Sequence, residues 1–452
     1  FGKKPLFFYF SSNSIFFSST LKPIILNKNI KKKINLNSLD HYFNYGFCPN
    51  SNSIFEEIHK VPPNTFILFD LNKWNFTKYS IHSKKNINQK KTIDIDFKHL
   101  DSLLRQSVEK RLVADVPVGI LLSSGIDSSL IAYYSSLINK KIETYTVSFE
   151  NKIFDESEQS KKISNYFGLK NNIVSFEKND LNEIINDLPD AFDEPFADSS
   201  QVPTMLIFQK MSNFSKVCLT GDGGDEIFYG YNRYQWFLIW SKLFKNNVFN
   251  TNFTKKNLTK FIYLLENNFV GKKIFEKFNL TTNKTNKFIN IFFNKKNIYE
   301  SFLKLSNENN FVKNKNIFFD QKLETLDQLR DFDIDNYLVD DILTKVDRSS
   351  MFYSVEARSP FLDKDIYDYV LNSKLMDNIN FFNKKKILKK ILNQKLPKKL
   401  ISNKKTGFSF PLQNYLYENL NKELINDFQI IKNDDRLIGL NFTILNNIIN
   451  RL

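Results

Sequence analysis

Along residues 1–80, apolar and polar positions alternate in short runs. Leu6–Phe10, Ile15–Phe17 and Thr65–Asp70 have strand spacing, and Cys48-Pro49-Asn50 and Val61-Pro62-Pro63-Asn64 mark turns. Residues 82–92 are polar, as a linker is. From Phe97 to Leu112 the apolar positions recur with a helical period. Short β-rich runs then alternate with helical ones. Val118–Leu122, Thr144–Phe149, Asn172–Phe176 and Lys216–Thr220 read as strands, and Ser129–Leu137 and Glu156–Phe167 as helices. This alternation predicts a parallel sheet in an α/β layer fold. Beyond about residue 240 the pattern is mostly helical, and no repeat of about 20–50 residues recurs.

The chain has 452 residues, room for two or three domains of about 100–200 residues each. With 42% hydrophobic and 25% charged residues it reads as a globular protein, not one disordered throughout. The net charge is +15, but residues 241–320 alone supply +10, from fifteen Lys and five acids with no Arg. We read that segment as a solvated Lys face; a nucleic-acid surface is the competing reading, and no recognised module supports it. Cys48 and Cys218 lie too far apart in sequence for a CxxC motif, so neither a disulfide framework nor a zinc knuckle is expected, and a reducing, cytoplasmic setting fits. All four His lie at or before residue 99, which argues against a Ser-His-Asp triad or a His-ligated metal in the rest of the chain. No run of about 18 apolar residues predicts a membrane span. The chain begins at Phe1 rather than Met, and a fragment or a processed product is expected.

Only twelve glycines occur, against a usual level of about 7%, and seven of them fall in a few places. The first is Leu121-Leu122-Ser123-Ser124-Gly125-Ile126-Asp127-Ser128-Ser129, between a strand and a helix. Backbone N–H groups and Ser hydroxyls in such a turn surround phosphate oxygens, and a carboxylate at Asp127 would bring Mg²⁺ to them. A Ser-rich helix cap with no ligand is the plain alternative. The second is Leu219-Thr220-Gly221-Asp222-Gly223-Gly224-Asp225-Glu226, again after a strand. Carboxylates beside a phosphate loop make sense with a metal between them; a simple acidic turn is the alternative.

The first cluster resembles the Ser-Gly-Gly-x-Asp-Ser loop of adenine nucleotide alpha-hydrolase-like (PP-loop ATPase) synthetases. Further segments narrow the resemblance to the asparagine synthase (glutamine-hydrolysing) family: Phe192–Ser200, Gly221–Tyr231, Tyr337–Asp363 and Lys405-Thr406-Gly407-Phe408. Phe1–Leu6 and Pro62-Pro63-Asn64 look like late parts of the family's N-terminal nucleophile-type glutaminase domain. The resemblance implies an α+β glutaminase remnant over 1–81, a linker over 82–96 and an α/β synthetase domain with a helical C-terminal part over 97–452. The family's N-terminal Cys nucleophile has no counterpart in this sequence, so ammonium use without glutamine hydrolysis is expected of the chain as given.

The resemblance further implies a ligase that converts L-aspartate to L-asparagine through β-aspartyl-AMP. ATP and Mg²⁺ are consumed or bound, and ammonia comes from glutamine in the intact protein. Ser123, Ser124, Gly125, Asp127 and Ser128 match the pyrophosphate loop, Leu122, Val147 and Gly221 the adenosine contacts, and Asp127 and Asp225 the metal carboxylates. Lys405 matches a lysine that stabilises phosphate charge, and Asp222 is placed with it as catalytic. Glu356 and Arg358 read either as a structural ion pair or as part of the substrate pocket. Ser124 stands where the usual loop has glycine, and Asp222 where well-known members have Glu. A paralogue acting on another carboxylate is therefore the alternative. The implied partners are small molecules, with neither nucleic acid nor membrane, and the family allows a homodimer.

Overall fold

A computed structural model describes residues 1–49, 51–81, 94–148, 155–175, 178–244, 325–374, 378–380 and 383–401, together with 311, 323 and a few positions between 426 and 442. Lys405 and its neighbours, positions 82–93 and most of 241–320 lie outside the described residues.

The N-terminal region is built on phenylalanines. Strand β1 (Phe7–Phe10) lies between β2 (Ile15–Ser18) and β3 (Ile58–Lys60) in an antiparallel sheet. Period-two alternation sends Phe7 and Tyr9 to one face, where they join Leu39 on helix Leu36–Tyr45. It sends Phe8 and Phe10 to the other, against the hairpin of β4 (Thr65–Asp70) and β5 (Asn75–Ser80). There Phe10 meets Phe76 edge to face at 5.3 Å and Phe69 at 5.7 Å.

The central sheet is parallel. Its strands are β6 (Val118–Leu121), β7 (Glu143–Ser148), β8 (Lys170–Ser175), β9 (Val217–Leu219) and β10 (Glu356–Arg358), in the order β10-β9-β6-β7-β8. Ile120 and Leu219 point to one face, into a core with Leu104 and Leu130 from helices Phe97–Leu112 and Ile126–Ile138. Tyr145, Val147 and Cys218 point to the other, against Ile207, Phe208 and Met211 of helix Gln201–Met211 and Val346 of helix Thr344–Phe352. Burial on both faces is what a parallel sheet requires.

The strand and helix expectations are met within about three residues, as element ends usually are. One shift has a chemical consequence: the helix expected from Ser129 starts at Ile126, so Asp127 and Ser128 sit in its first turn. Strand β10 interrupts the helical C-terminal pattern; its three residues are too few to show a period.

The two regions meet at Asp193-Glu194. Asp193 accepts the Leu21 N–H at 2.8 Å, and Glu194 accepts the Ile54 N–H at 3.2 Å and pairs with half-buried Lys60. Lys4 reaches Asp347 at 2.5 Å, and the Ala197 N–H bonds the Gly46 carbonyl at 2.7 Å.

His41, on helix Leu36–Tyr45, is buried against Tyr45 and Phe47, with Nδ1 2.7 Å from the Phe47 carbonyl. Burial depresses its pKa from 6.5 to about 4, only partly offset by that hydrogen bond. The folded state therefore holds the neutral ring. Its contribution, on the order of 3 kcal/mol, is complete above the unfolded value and is lost as pH falls from 6.5 through 4. Urea unfolding at pH 7.5 and pH 4.5 should show a smaller stability loss on acidification in His41→Gln than in the parent chain. Equal losses would mean that His41 does not drive the acid sensitivity.

Candidate active site

The ends of β6 and β9 are neighbours because the strands pair in parallel, so the loops that follow them emerge on one edge of the sheet. After β6 the chain turns through Leu122–Gly125 into helix Ile126–Ile138. Ser123 Oγ and Ser128 Oγ lie 3.0 Å apart, and Ser123 Oγ accepts the Gly125 N–H at 3.1 Å. The Ser124 N–H donates to the Glu156 carboxylate at 2.9 Å. This loop N–H is thus already aimed at an anion, and the helix N-terminus behind it adds positive potential.

After β9 comes Thr220–Asp225. Gly221 packs against Asp127, where an added Cβ would lie 3.1 Å from the Asp127 Cβ. Gly223 adopts φ +86°, and a Cβ there would overlap the Leu362 side chain. Desolvation raises the pKa of half-buried Asp222, with Asp225 and Asp127 adding to the rise. Glu226 is buried and receives the Tyr231 hydroxyl. Burial, reinforced by Asp225, pushes its pKa up to about 7.

A cavity of about 730 Å³ opens between these loops. Its lining includes every nucleotide-loop residue expected from the sequence: Leu122, Ser123, Ser124, Gly125, Asp127, Ser128, Val147 and Gly221. Asp222 and Asp225 line it as well. Glu356 and Arg358 are not in that lining. They pair with each other on β10 at 2.9 Å, and Arg358 also donates to the Arg111 and Val113 carbonyls. The ion pair therefore lies along a strand rather than at a helix end.

Among the lysines that line the cavity, two that the motifs did not single out pair with its carboxylates. Lys385 Nζ lies between the carboxylates, 2.7 Å from Asp225 and bonded to Asp127. Lys345 Nζ bonds Asp198 at 3.1 Å and Ser200 Oγ at 2.7 Å. Burial alone would raise the Asp198 pKa, but the Lys345 ammonium and the Ser200 hydroxyl and N–H together outweigh it and hold the carboxyl below its usual range. Lys345 and Asp198 stand inside segments that carried the family resemblance; Lys385 is one of three consecutive lysines and gave no signal of its own.

The donor set fits Mg²⁺ of one kind. Among the described residues no group of three or more His, Cys, Asp or Glu is poised to cage a metal. Two carboxylates facing a phosphate-type turn suit an ion that takes one or two carboxylates and completes its shell from phosphate and water.

A parallel α/β sheet delivering a Ser/Gly turn and an Asp/Gly loop to one cavity defines a PP-loop ATPase-type, adenine nucleotide alpha-hydrolase-like synthetase domain. The chain belongs to the asparagine synthase family: the profile of that family matches residues 99–437, and that of the glutamine amidotransferase domain matches residues 1–80. Asparagine synthetase [glutamine-hydrolyzing] 1 of Bacillus subtilis is 27% identical over 445 residues, covering 96% of this chain and 68% of its own length. A Methanocaldococcus jannaschii relative named for the same activity is 36% identical over 239 residues, covering 51% of this chain and 45% of its own. The chain thus spans about half to two thirds of the curated relatives it matches. An NH3-dependent NAD synthetase from Campylobacter jejuni aligns with a TM-score of 0.23 at 16% identity, over 30% of this chain and 62% of that one.

Gly223→Ala places a Cβ at positive φ and against Leu362. It should cost about 1–3 kcal/mol in urea unfolding. Gly168→Ala, also at positive φ (+72°) but facing only the flexible end of Lys140, controls for backbone strain alone and should cost less. Equal costs would show that the Leu362 contact does not matter.

Proposed function

We propose that this chain carries an ATP-dependent, AMP-forming amide ligase site that converts L-aspartate to L-asparagine. The observation that carries the reading is the meeting of the Ser123–Ser128 turn and the Gly221–Asp225 loop at one cavity, with Asp127 and Asp225 facing a common point. In the proposed reaction an aspartate β-carboxylate oxygen attacks the α-phosphorus of ATP, and the bond to pyrophosphate breaks. Ammonia then attacks the acyl carbon of β-aspartyl-AMP, sheds a proton, and AMP departs with the oxygen that joined it to the acyl group. The intact protein would draw its ammonia from glutamine, and the reaction belongs to the cytoplasm.

Each residue has a physical task in this reading. Ser123 and Ser128 hydroxyls and the loop N–H groups hold the pyrophosphate, whose departure is slow unless its charge is neutralised. Leu122, Val147 and Gly221 border the adenosine. Asp127 and Asp225 would hold Mg²⁺, which supplies positive charge to the phosphates when bound. Lys385 stands beside them as a further cation, and Lys405, outside the described residues, is assigned the same kind of task by family resemblance. Asp222 is the cavity carboxylate that receives the proton shed by ammonia.

The test measures AMP and pyrophosphate from ATP, Mg²⁺, L-aspartate and ammonium. Asparagine and AMP should appear in equal amounts, and Asp127→Asn should slow both by about a hundredfold or more. AMP formation that needs another carboxylate in place of aspartate would reassign the acceptor. ADP as the product would overturn the adenylation reading.

A further inference from the structure

Lys385 sits where the two proposed metal carboxylates converge. Its side chain is only 5% exposed, and its ammonium is shared by Asp127 and Asp225. The backbone of Lys385 is left-handed, with φ +49°, an unfavourable state for a residue with a side chain. The helix that begins at Lys386 fixes it there, since Leu388, Ile391 and Leu392 of that helix are buried in the main core. Gly230 closes the other side. A Cβ at Gly230 would overlap the Asp225 carboxylate and the Lys385 Cε.

The charges decide what this geometry does. Two carboxylates supply two negative charges, and one ammonium with one divalent cation would bring three positive ones. A metal entering alone must push the ammonium off both partners while it remains in a buried setting, which is costly. A polyphosphate changes the balance, because its oxygens accept the displaced ammonium and share the metal.

We propose that Lys385 makes metal entry conditional on the nucleotide: its ammonium holds the cation position closed in the protein alone, and yields it when phosphate oxygens offer a second partner. The inference rests on the ATP reading above. Under it, the metal and the nucleotide bind together, and a cation without phosphate is excluded.

The test dialyses the full chain at pH 8 against Mn²⁺, with and without a non-hydrolysable ATP analogue; protein-bound Mn²⁺ is measured by electron paramagnetic resonance and protein-bound analogue by absorbance, because the analogue itself binds Mn²⁺. The parent chain and Lys385→Arg, which keeps the charge, should leave Mn²⁺ free without the analogue and bind it with the analogue. Lys385→Met should bind Mn²⁺ alone at least tenfold more tightly than the parent, and adding Asp127→Asn should abolish the gain. Lys385→Gln serves if the methionine variant does not fold. A neutral variant no tighter than the parent overturns the inference, as does a parent that binds Mn²⁺ equally well with and without the analogue. A parent that binds no analogue even with Mn²⁺ overturns the ATP reading instead, so the two failures are distinct.

Discussion

Two half-buried carboxylates held together in a cleft repel each other, and the site of this protein is arranged around that repulsion. Asp127 and Asp225 meet because β6 and β9 are parallel neighbours, so the turns after them share one edge of the sheet. Small residues permit the close approach: Gly221 packs against Asp127, and Gly230 leaves room beside Asp225. The repulsion is relieved by Lys385, which immediately precedes a helix from far along the chain that core packing holds. Sheet topology, glycine placement and C-terminal packing thus converge on the same two charges.

A second ion pair ties the cavity to the N-terminal region. The segment from Asp193 to Ser200 touches both. At one end Asp193 and Glu194 accept backbone N–H groups of Leu21 and Ile54, and Glu194 pairs with the Lys60 ammonium. At the other, Asp198 and Ser200 hold Lys345 at the cavity wall. Removing one partner of such a buried pair strands the other charge, so the segment has little freedom to change its composition.

The sheet was legible because its strands are short apolar runs bounded by turn residues, and the two loops because glycine is otherwise scarce. Their meeting in space was not legible from spacing alone. It depends on which strands pair, and the family resemblance supplied that. Lys385 was missed because lysine is abundant and a lysine run carries no period. Glu356 and Arg358 were left between two readings, since sequence shows an acid two residues from a base but not where either points. On β10 they point to the same side and pair, as alternate strand residues do.

The central claim is that an oxygen of the acceptor carboxylate becomes bonded to the α-phosphorus of ATP. The most direct test supplies L-aspartate labelled with ¹⁸O in its β-carboxylate, together with ATP, Mg²⁺ and ammonium, and follows the label by mass spectrometry. One ¹⁸O should be transferred to AMP for each asparagine formed. Unlabelled AMP, or label found in inorganic phosphate, would contradict it.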